Sequence, residues 1–166
     1  MISRELLDRI EAFKGMNDQQ LTEVMACCRE MDFKSGDRMF AEGDAATHLW
    51  FVENGKVDLR FEMPGRETSS EHTVSSIEAT ADESSARAIG WSCFVAPFKM
   101  RLSAYCASQT CKAIRIKKED LLLLFEKDPQ MGYLFMSYMV TVVGRRFHSF
   151  QDYVATHLGR NLMSGW

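Results

Sequence analysis

A mainly β fold with flanking helices is predicted: an antiparallel sandwich or barrel, with two N-terminal helices and a long C-terminal helix. Three observations predict it. Apolar spacing of helical period opens and closes the chain, short alternating runs fill the span from about Met31 to Ile116, and glycine-acid pairs with polar clusters separate those runs.

The opening "MISRELLDRIEAF" places Leu6, Leu7, Ile10 and Phe13 on one helical face, and charges interrupt them, unlike the apolar core of a signal peptide. A second helix begins at "NDQQLTEVMACCREM". There Asn17 and Gln20 have the spacing of a capping box, and Leu21, Val24, Met25 and Cys28 form the inner stripe. Helix gives way to strand at about Met31. Strands follow in "MDFKSGDRMF", "HLWFVENGKVDLRFEM", "EHTVSSIEA" and "RLSAYCASQTCKAIRI". They are separated by Gly36-Asp37, Gly43-Asp44, Asn54-Gly55, Pro64-Gly65 and the polar run from Thr80 to Ser85.

Helical period returns with the short "KKEDLLLLFEKD". Asp128 and Pro129 then supply an N-cap and a first-turn proline for a long helix over 129–158. Its apolar stripe comprises Met131, Leu134, Phe135, Tyr138, Val142, Phe147, Phe150, Val154 and Leu158. The expected organisation is one domain over 1–158 and a frayed tail over 159–166. With 166 residues, 46% of them hydrophobic, the chain suffices for one well-cored domain.

A formal net charge of -3 gives no general attraction to nucleic acid or anionic lipid. The basic stretch of Lys112, Arg115, Lys117 and Lys118 reads as a solvated strand edge or helix entry. No window approaches the roughly 18 apolar residues of a membrane span. The five cysteines include no Cys-x-x-Cys pair, which suits reduced thiols in a cytoplasm. No nucleophile and base, metal-ligand spacing or paired carboxylates mark an enzyme.

Helices, a β-roll with a late helical insertion, then a long amphipathic helix: this order resembles the cyclic-nucleotide-binding domain of catabolite-activator-type regulators, protein kinase A regulatory subunits and gated channels. The segment "FKSGDRMFAEGDAATHLWFVENGKVDL" is similar to that family's glycine signature, with Gly36, Gly43 and Gly55, Asp44 after the second glycine, and the block Leu49, Trp50, Phe51, Val52 before the third. The resemblance implies that the strands form an antiparallel double-stranded β-helix of the jelly-roll kind, and that "IGWSCFVAPFKMRLSAYC" is a phosphate-binding cassette. Gly90 takes the place of its glycine, and Trp91, Ser92 and Cys93 lie in its short helix, with Pro97 closing it and Ser92 as cap.

The cassette departs from the family at Trp91, where a glutamate is expected. A ring cannot accept a hydrogen bond from a ribose hydroxyl, so recognition of cyclic AMP or cyclic GMP is compromised. Trp91 is either a lid on the core or a stacking platform. The phosphate cation is Arg101 or Lys99; Leu102 replaces a small residue, and Ser103 offers a hydroxyl one place later. Four histidines, His48, His72, His148 and His157, have no pairing at ligand spacing for the haem that some sensors on this fold bind.

Two functions compete. One is a non-enzymatic, cytoplasmic ligand sensor that binds a small anion, a cyclic nucleotide among the candidates, and signals through the C-terminal helix. The other is a degenerate fold acting as a dimerisation or protein-interaction module, with Trp91 in the ligand's place. Homodimerisation through the C-terminal helix fits both. No cofactor or metal is implied. The eight residues after Leu158 leave no room for the helix-turn-helix of the DNA-binding relatives, so direct nucleic-acid binding is not expected.

Overall fold

The apolar spacing of the first thirteen residues closes a core against the sheet. In the computed structural model, residues 2–62, 65, 69–79 and 88–163 are described. Helix α1 (Arg4–Asp8) is capped by Ser3 and leads into a 3-10 turn, Glu11–Phe13; Leu6, Leu7, Ile10 and Phe13 are all buried. Helix α2 (Asp18–Cys27) opens on the expected capping box. The Gln20 amide donates to Asn17 Oδ1 at 3.0 Å, and the Asn17 amide donates to Gln20 Oε1 at 2.8 Å. The same Gln20 side chain donates to Asp128 Oδ2 at 2.6 Å, tying α2 to the junction of the last two helices. Of the expected inner stripe, Leu21, Val24 and Cys28 are buried, and Met25 is half-buried.

Strand begins at Cys28 rather than at Met31. Among the described residues the strands are β1 (Cys28–Lys34), β2 (Arg38–Phe40), β3 (His48–Arg60), β4 (Thr73–Ala79), β5 (Ala88–Ile89), β6 (Ser103–Cys106) and β7 (Thr110–Lys117). β1 pairs with β7 residue by residue from Cys28 opposite Ile116, and this ladder ends the helix three residues early. Asn54-Gly55 is a bend inside one strand, not a separator. Pairing shifts register between Val52 and Asn54, and Gly55 takes φ +94°, where a Cβ would collide with the Thr110 carbonyl. At this bend β3 exchanges partners, pairing with β7 and β5 before it and with β6 and β4 after it, always antiparallel. The run "RLSAYCASQTCKAIRI" is two strands joined at Ala107–Gln109, where Ser108 Oγ donates to the Thr110 carbonyl at 2.7 Å. Strand β5 was not anticipated. Thr80–Ser85 and Pro64 lie outside the described residues.

The sheet thereby curls into a half-barrel with the strand order β1-β7-β3-β6-β2. The block at the head of β3 buries both faces. Leu49 and Phe51 join Phe13, Ile114, Ile116, Leu121 and Phe135 beneath the helices. Trp50 and Val52 join Val57, Leu59, Ile77, Ile89 and Ala113 inside the roll.

Helix α3 (Lys118–Lys127) is followed by α4 (Pro129–Met163), whose first turn is capped by Asp128 Oδ1 accepting from the Gln130 and Met131 amides. The helix runs past Leu158 to Met163, so the residues expected to fray from 159 onward continue it; 164–166 are outside the described set. The predicted stripe divides in two. Met131, Phe135 and Val142 are buried and are joined by Met139, whereas Phe147 and Phe150 are each 56% exposed. The side chain of Leu158 is not among those described.

Candidate functional site

Gly90 follows β5 directly and adopts φ +78°, the left-handed conformation that glycine takes without strain. Space reinforces the requirement, since a Cβ there would lie 3.0 Å from the His48 carbonyl oxygen and 3.1 Å from Trp50 Cδ1. The chain then forms a 3-10 helix, Trp91–Phe94. Gly90, not Ser92, is its N-cap, and no side chain caps it. Ser92 and Cys93 are buried; burial pushes the Cys93 thiol up to about 12, so it stays protonated at neutral pH. Trp91 is half-buried and packs against the core beneath the helices, not against the cluster inside the roll.

After Pro97 the loop pairs with the glycine signature. Ala46 N donates to the Phe98 carbonyl at 2.8 Å, Met100 N to the Asp44 carbonyl at 2.8 Å, and Gly43 N to the Met100 carbonyl at 2.9 Å. Met100 is buried, and Lys99 and Arg101 on either side of it are exposed. Leu102 packs against the cluster inside the roll. Ser103 is fully buried: its Oγ accepts from the Glu42 amide at 2.8 Å and donates to Glu62 Oε1, which also accepts from the Tyr105 hydroxyl at 2.9 Å. The eight expected residues therefore fall into three places. Gly90, Trp91, Ser92 and Cys93 share one turn, Lys99 and Arg101 stand on an exposed loop, and Leu102 directly precedes Ser103, the first residue of β6.

The basic stretch also divides. Lys112 and Lys117 are exposed, but Arg115 is half-buried with its guanidinium 5.8 Å from the centre of the Trp50 ring. Lys118 Nζ lies 4.2 Å from the centre of the Phe98 ring. These cations are thus used by the fold and are not a uniformly solvated edge.

Two contacts missed in the sequence join the cassette to α4. Phe94 meets Phe135 edge-on with ring centroids 6.1 Å apart. Arg146 donates to the carbonyl of Ala88 in β5, two residues before Gly90. Burial lowers the Arg146 guanidinium to about 10, which leaves it charged at neutral pH. Phe94 lay within the recognised short helix, but nothing local distinguishes a ring that meets a residue some forty positions away. Among the described residues, no group of three or more His, Cys, Asp or Glu side chains is placed to hold a metal ion. No described helix is long and apolar enough to cross a membrane, and all five cysteines are free thiols.

A curled antiparallel roll, a short helix on a left-handed glycine and a long final helix define the architecture of a cyclic-nucleotide-binding domain. No protein-family model matches the chain, and no curated protein matches it. Solved structures do. A protein of Geobacter metallireducens assigned as cyclic nucleotide-binding is 24% identical over 89% of this chain and 100% of its own, with a TM-score of 0.71. A cyclic nucleotide-binding domain from Methylobacillus flagellatus is 15% identical over 92% of this chain and 80% of its own, with a TM-score of 0.72. The regulatory domain of Toxoplasma gondii protein kinase A, solved with cyclic AMP, is 15% identical over 85% of this chain and 48% of its own, with a TM-score of 0.65. The chain has the cyclic-nucleotide-binding fold that its glycine signature implied.

Proposed function

We propose that this chain is a non-enzymatic, cytoplasmic regulatory domain that binds a small anionic ligand beside the segment from Gly90 to Ser103 and signals through α4 as a homodimer. The coupling of the cassette to α4 carries this reading. A ligand that moves the turn at Gly90 must move Phe94 against Phe135, or strain the bond from Arg146 to Ala88. Nearby on the same loop, Lys99 and Arg101 offer exposed cations.

The dimer reading rests on a row the buried stripe does not use. Tyr133, Met136, Val140, Val143, Phe147, Phe150 and Val154 recur at alternating spacings of three and four, the pattern of a two-stranded coiled coil. Met136 packs against the core and Val143 and Val154 are half-buried, but Tyr133 is 69%, Val140 72%, and Phe147 and Phe150 each 56% exposed, so the barrel does not cover these four. A second copy of α4 would.

Calorimetry of the purified protein against cyclic AMP and cyclic GMP, with Arg101→Ala beside the wild type, tests the ligand. Micromolar binding that weakens in the variant supports a nucleotide sensor working without its glutamate. A second reading, a protein-interaction module with no ligand, is favoured by the packing of the roll: Leu102, Phe33 and Phe40 close on the cluster around Trp50, and Ser103 is already hydrogen-bonded. Absence of heat with both nucleotides supports that second reading.

A further inference from the structure

Residues directly opposite one another in an antiparallel ladder project from the same face of the sheet, and so do residues two apart along a strand. Across β3 and β7, Trp50 is opposite Arg115 and His48 is opposite Lys117. Trp50 belongs to the cluster inside the roll. Arg115, Lys117 and His48 therefore project from the concave face, at the end where β3 enters and where the His48 carbonyl and Trp50 press on Gly90. Arg29, opposite Arg115 on β1, shares the face, but its guanidinium turns back onto the Ala26 and Cys28 carbonyls at 3.0 and 2.7 Å.

Among the described residues, neither Arg115 nor Lys117 forms an ion pair with a carboxylate. His48 stands 6.3 Å from Trp50, centroid to centroid. Its pKa is lowered by burial first and then by the charges of Arg115 and Lys117, while Glu119 and Asp120 at the start of α3 act in the opposite sense. Arg115 and His48 are half-buried and Lys117 is exposed at the strand end, and the repulsion among such like charges falls when an anion arrives between them. Arg115 is also held in place by the Trp50 ring, so less side-chain freedom remains to be lost on binding than at the exposed Arg101.

We infer that Arg115, with Lys117 and His48, forms the anion-receiving site of this domain, and that its ligand class is a small phosphate-bearing molecule. The inference rests on the ligand-sensing reading and specifies the cation that reading leaves to Arg101 or Lys99. A guanidinium presents a fork of donors that matches two phosphate oxygens, and a lysine and an imidazole on the same face complete the set.

The test is a backbone and indole NMR titration with inorganic phosphate at constant ionic strength, and separately with cyclic AMP, on wild type, Arg115→Gln, Lys117→Gln and Arg101→Ala. Phosphate is expected to move the Trp50 indole and the Arg115 and His48 amide signals. Arg115→Gln should weaken phosphate binding by about ten- to a hundredfold, Lys117→Gln by a smaller factor, and Arg101→Ala by less than about twofold. Thermal unfolding of each variant checks the fold, and Lys117 is exposed, so its replacement leaves the core intact. Phosphate shifts absent from these signals, or an affinity unchanged in both β7 variants, would overturn the inference. Cyclic AMP binding that depends on Arg101 and not on Arg115 overturns it while leaving the sensor reading standing. Phosphate bound at Arg115 with no response to cyclic AMP supports the inference and removes the cyclic nucleotide from the candidate ligands.

Discussion

Phe94, in the short helix after Gly90, and Phe135, on the buried face of α4, meet edge-on at a centroid distance of 6.1 Å. Phe135 also contacts Phe13 at 6.0 Å and Phe125 at 5.1 Å, so one ring joins the N-terminal turn, the cassette and both C-terminal helices. Phe135→Ala should cost about 3–5 kcal/mol in urea unfolding, the range for deleting a buried ring. Phe94 is only partly buried, so Phe94→Ala should cost less and leave the domain folded. In that folded variant, ligand-induced NMR shifts in α4 should shrink while those around Gly90 persist. Equal shifts in α4 with and without the ring would remove this contact from the signalling route.

The bend of β3 makes a second prediction, about Gly55. A side chain there meets a φ of +94° and the backbone of Thr110, with Ser108 Oγ 2.7 Å from the new Cβ. Gly36 has φ +85° but nothing within 4 Å of an added Cβ. Gly36→Ala should therefore cost about 1–2 kcal/mol from conformation alone, and Gly55→Ala distinctly more. Chemical denaturation of the two variants compares them directly; equal losses would mean that the bend relaxes freely.

That contrast also separates what was legible in the sequence from what was not. Turns at Gly36, Gly43 and Gly90, the capping box at Asn17 and Gln20, and the cap at Asp128 are local requirements, each met by one or two residue types. Pairing is nonlocal. Nothing near Gly55 says whether the chain reverses there or bends and continues, because the answer lies with Thr110 on another strand. The two-residue β5 is too short to carry a period, and Arg115 reads as a solvated cation until the register sets it opposite Trp50. The cassette was legible as a sequence of types, but the engagement of Ser103 by Glu62, and of Phe94 by Phe135, depends on segments distant in the chain.

Asp58 should dominate the acid response of the roll. Burial acts to raise its pKa, but hydrogen bonds from Ser76 at 2.6 Å, Arg60 at 2.9 Å and Thr73 at 3.3 Å, with the Arg60 charge, bring it below the usual carboxylate range. With the folded value below the unfolded one, the unfolded chain holds more protons between them, so stability falls as pH drops through the lowered carboxyl. Asp58→Asn should flatten this acid limb in unfolding curves recorded below about pH 4. At neutral pH it should also destabilise the fold, because the Arg60 side chain, only 13% exposed, loses its ion partner. An unchanged acid limb would assign the response to other carboxylates.

His48 carries the complementary signature near neutrality. Its pKa is lowered, by burial and then by Arg115 and Lys117, so between the folded value and the ordinary one of about 6.5 the unfolded chain again holds more protons. Stability should fall on acidification through that window. Arg115→Gln should move the His48 titration, followed through its ring protons, upward toward the ordinary value. A titration that stays in place would mean that burial alone sets it.

The exposed row on α4 sets the last prediction. Phe147 and Phe150 follow the buried part of the helix, which ends near Val142, and each keeps more than half its surface in contact with solvent. Two copies of the helix with these rings at adjoining heptad positions would bury them against each other, at about 25 cal/mol per Å² of apolar surface removed from water. Phe147→Glu places like charges across that seam and should shift the protein from dimer to monomer in analytical ultracentrifugation, with little change in the melting of the roll at low concentration. Phe147→Leu keeps the row apolar and should retain the dimer. A wild-type chain that sediments as a monomer throughout the micromolar range would leave α4 without a copy of itself as partner, and the row would then serve a different helix.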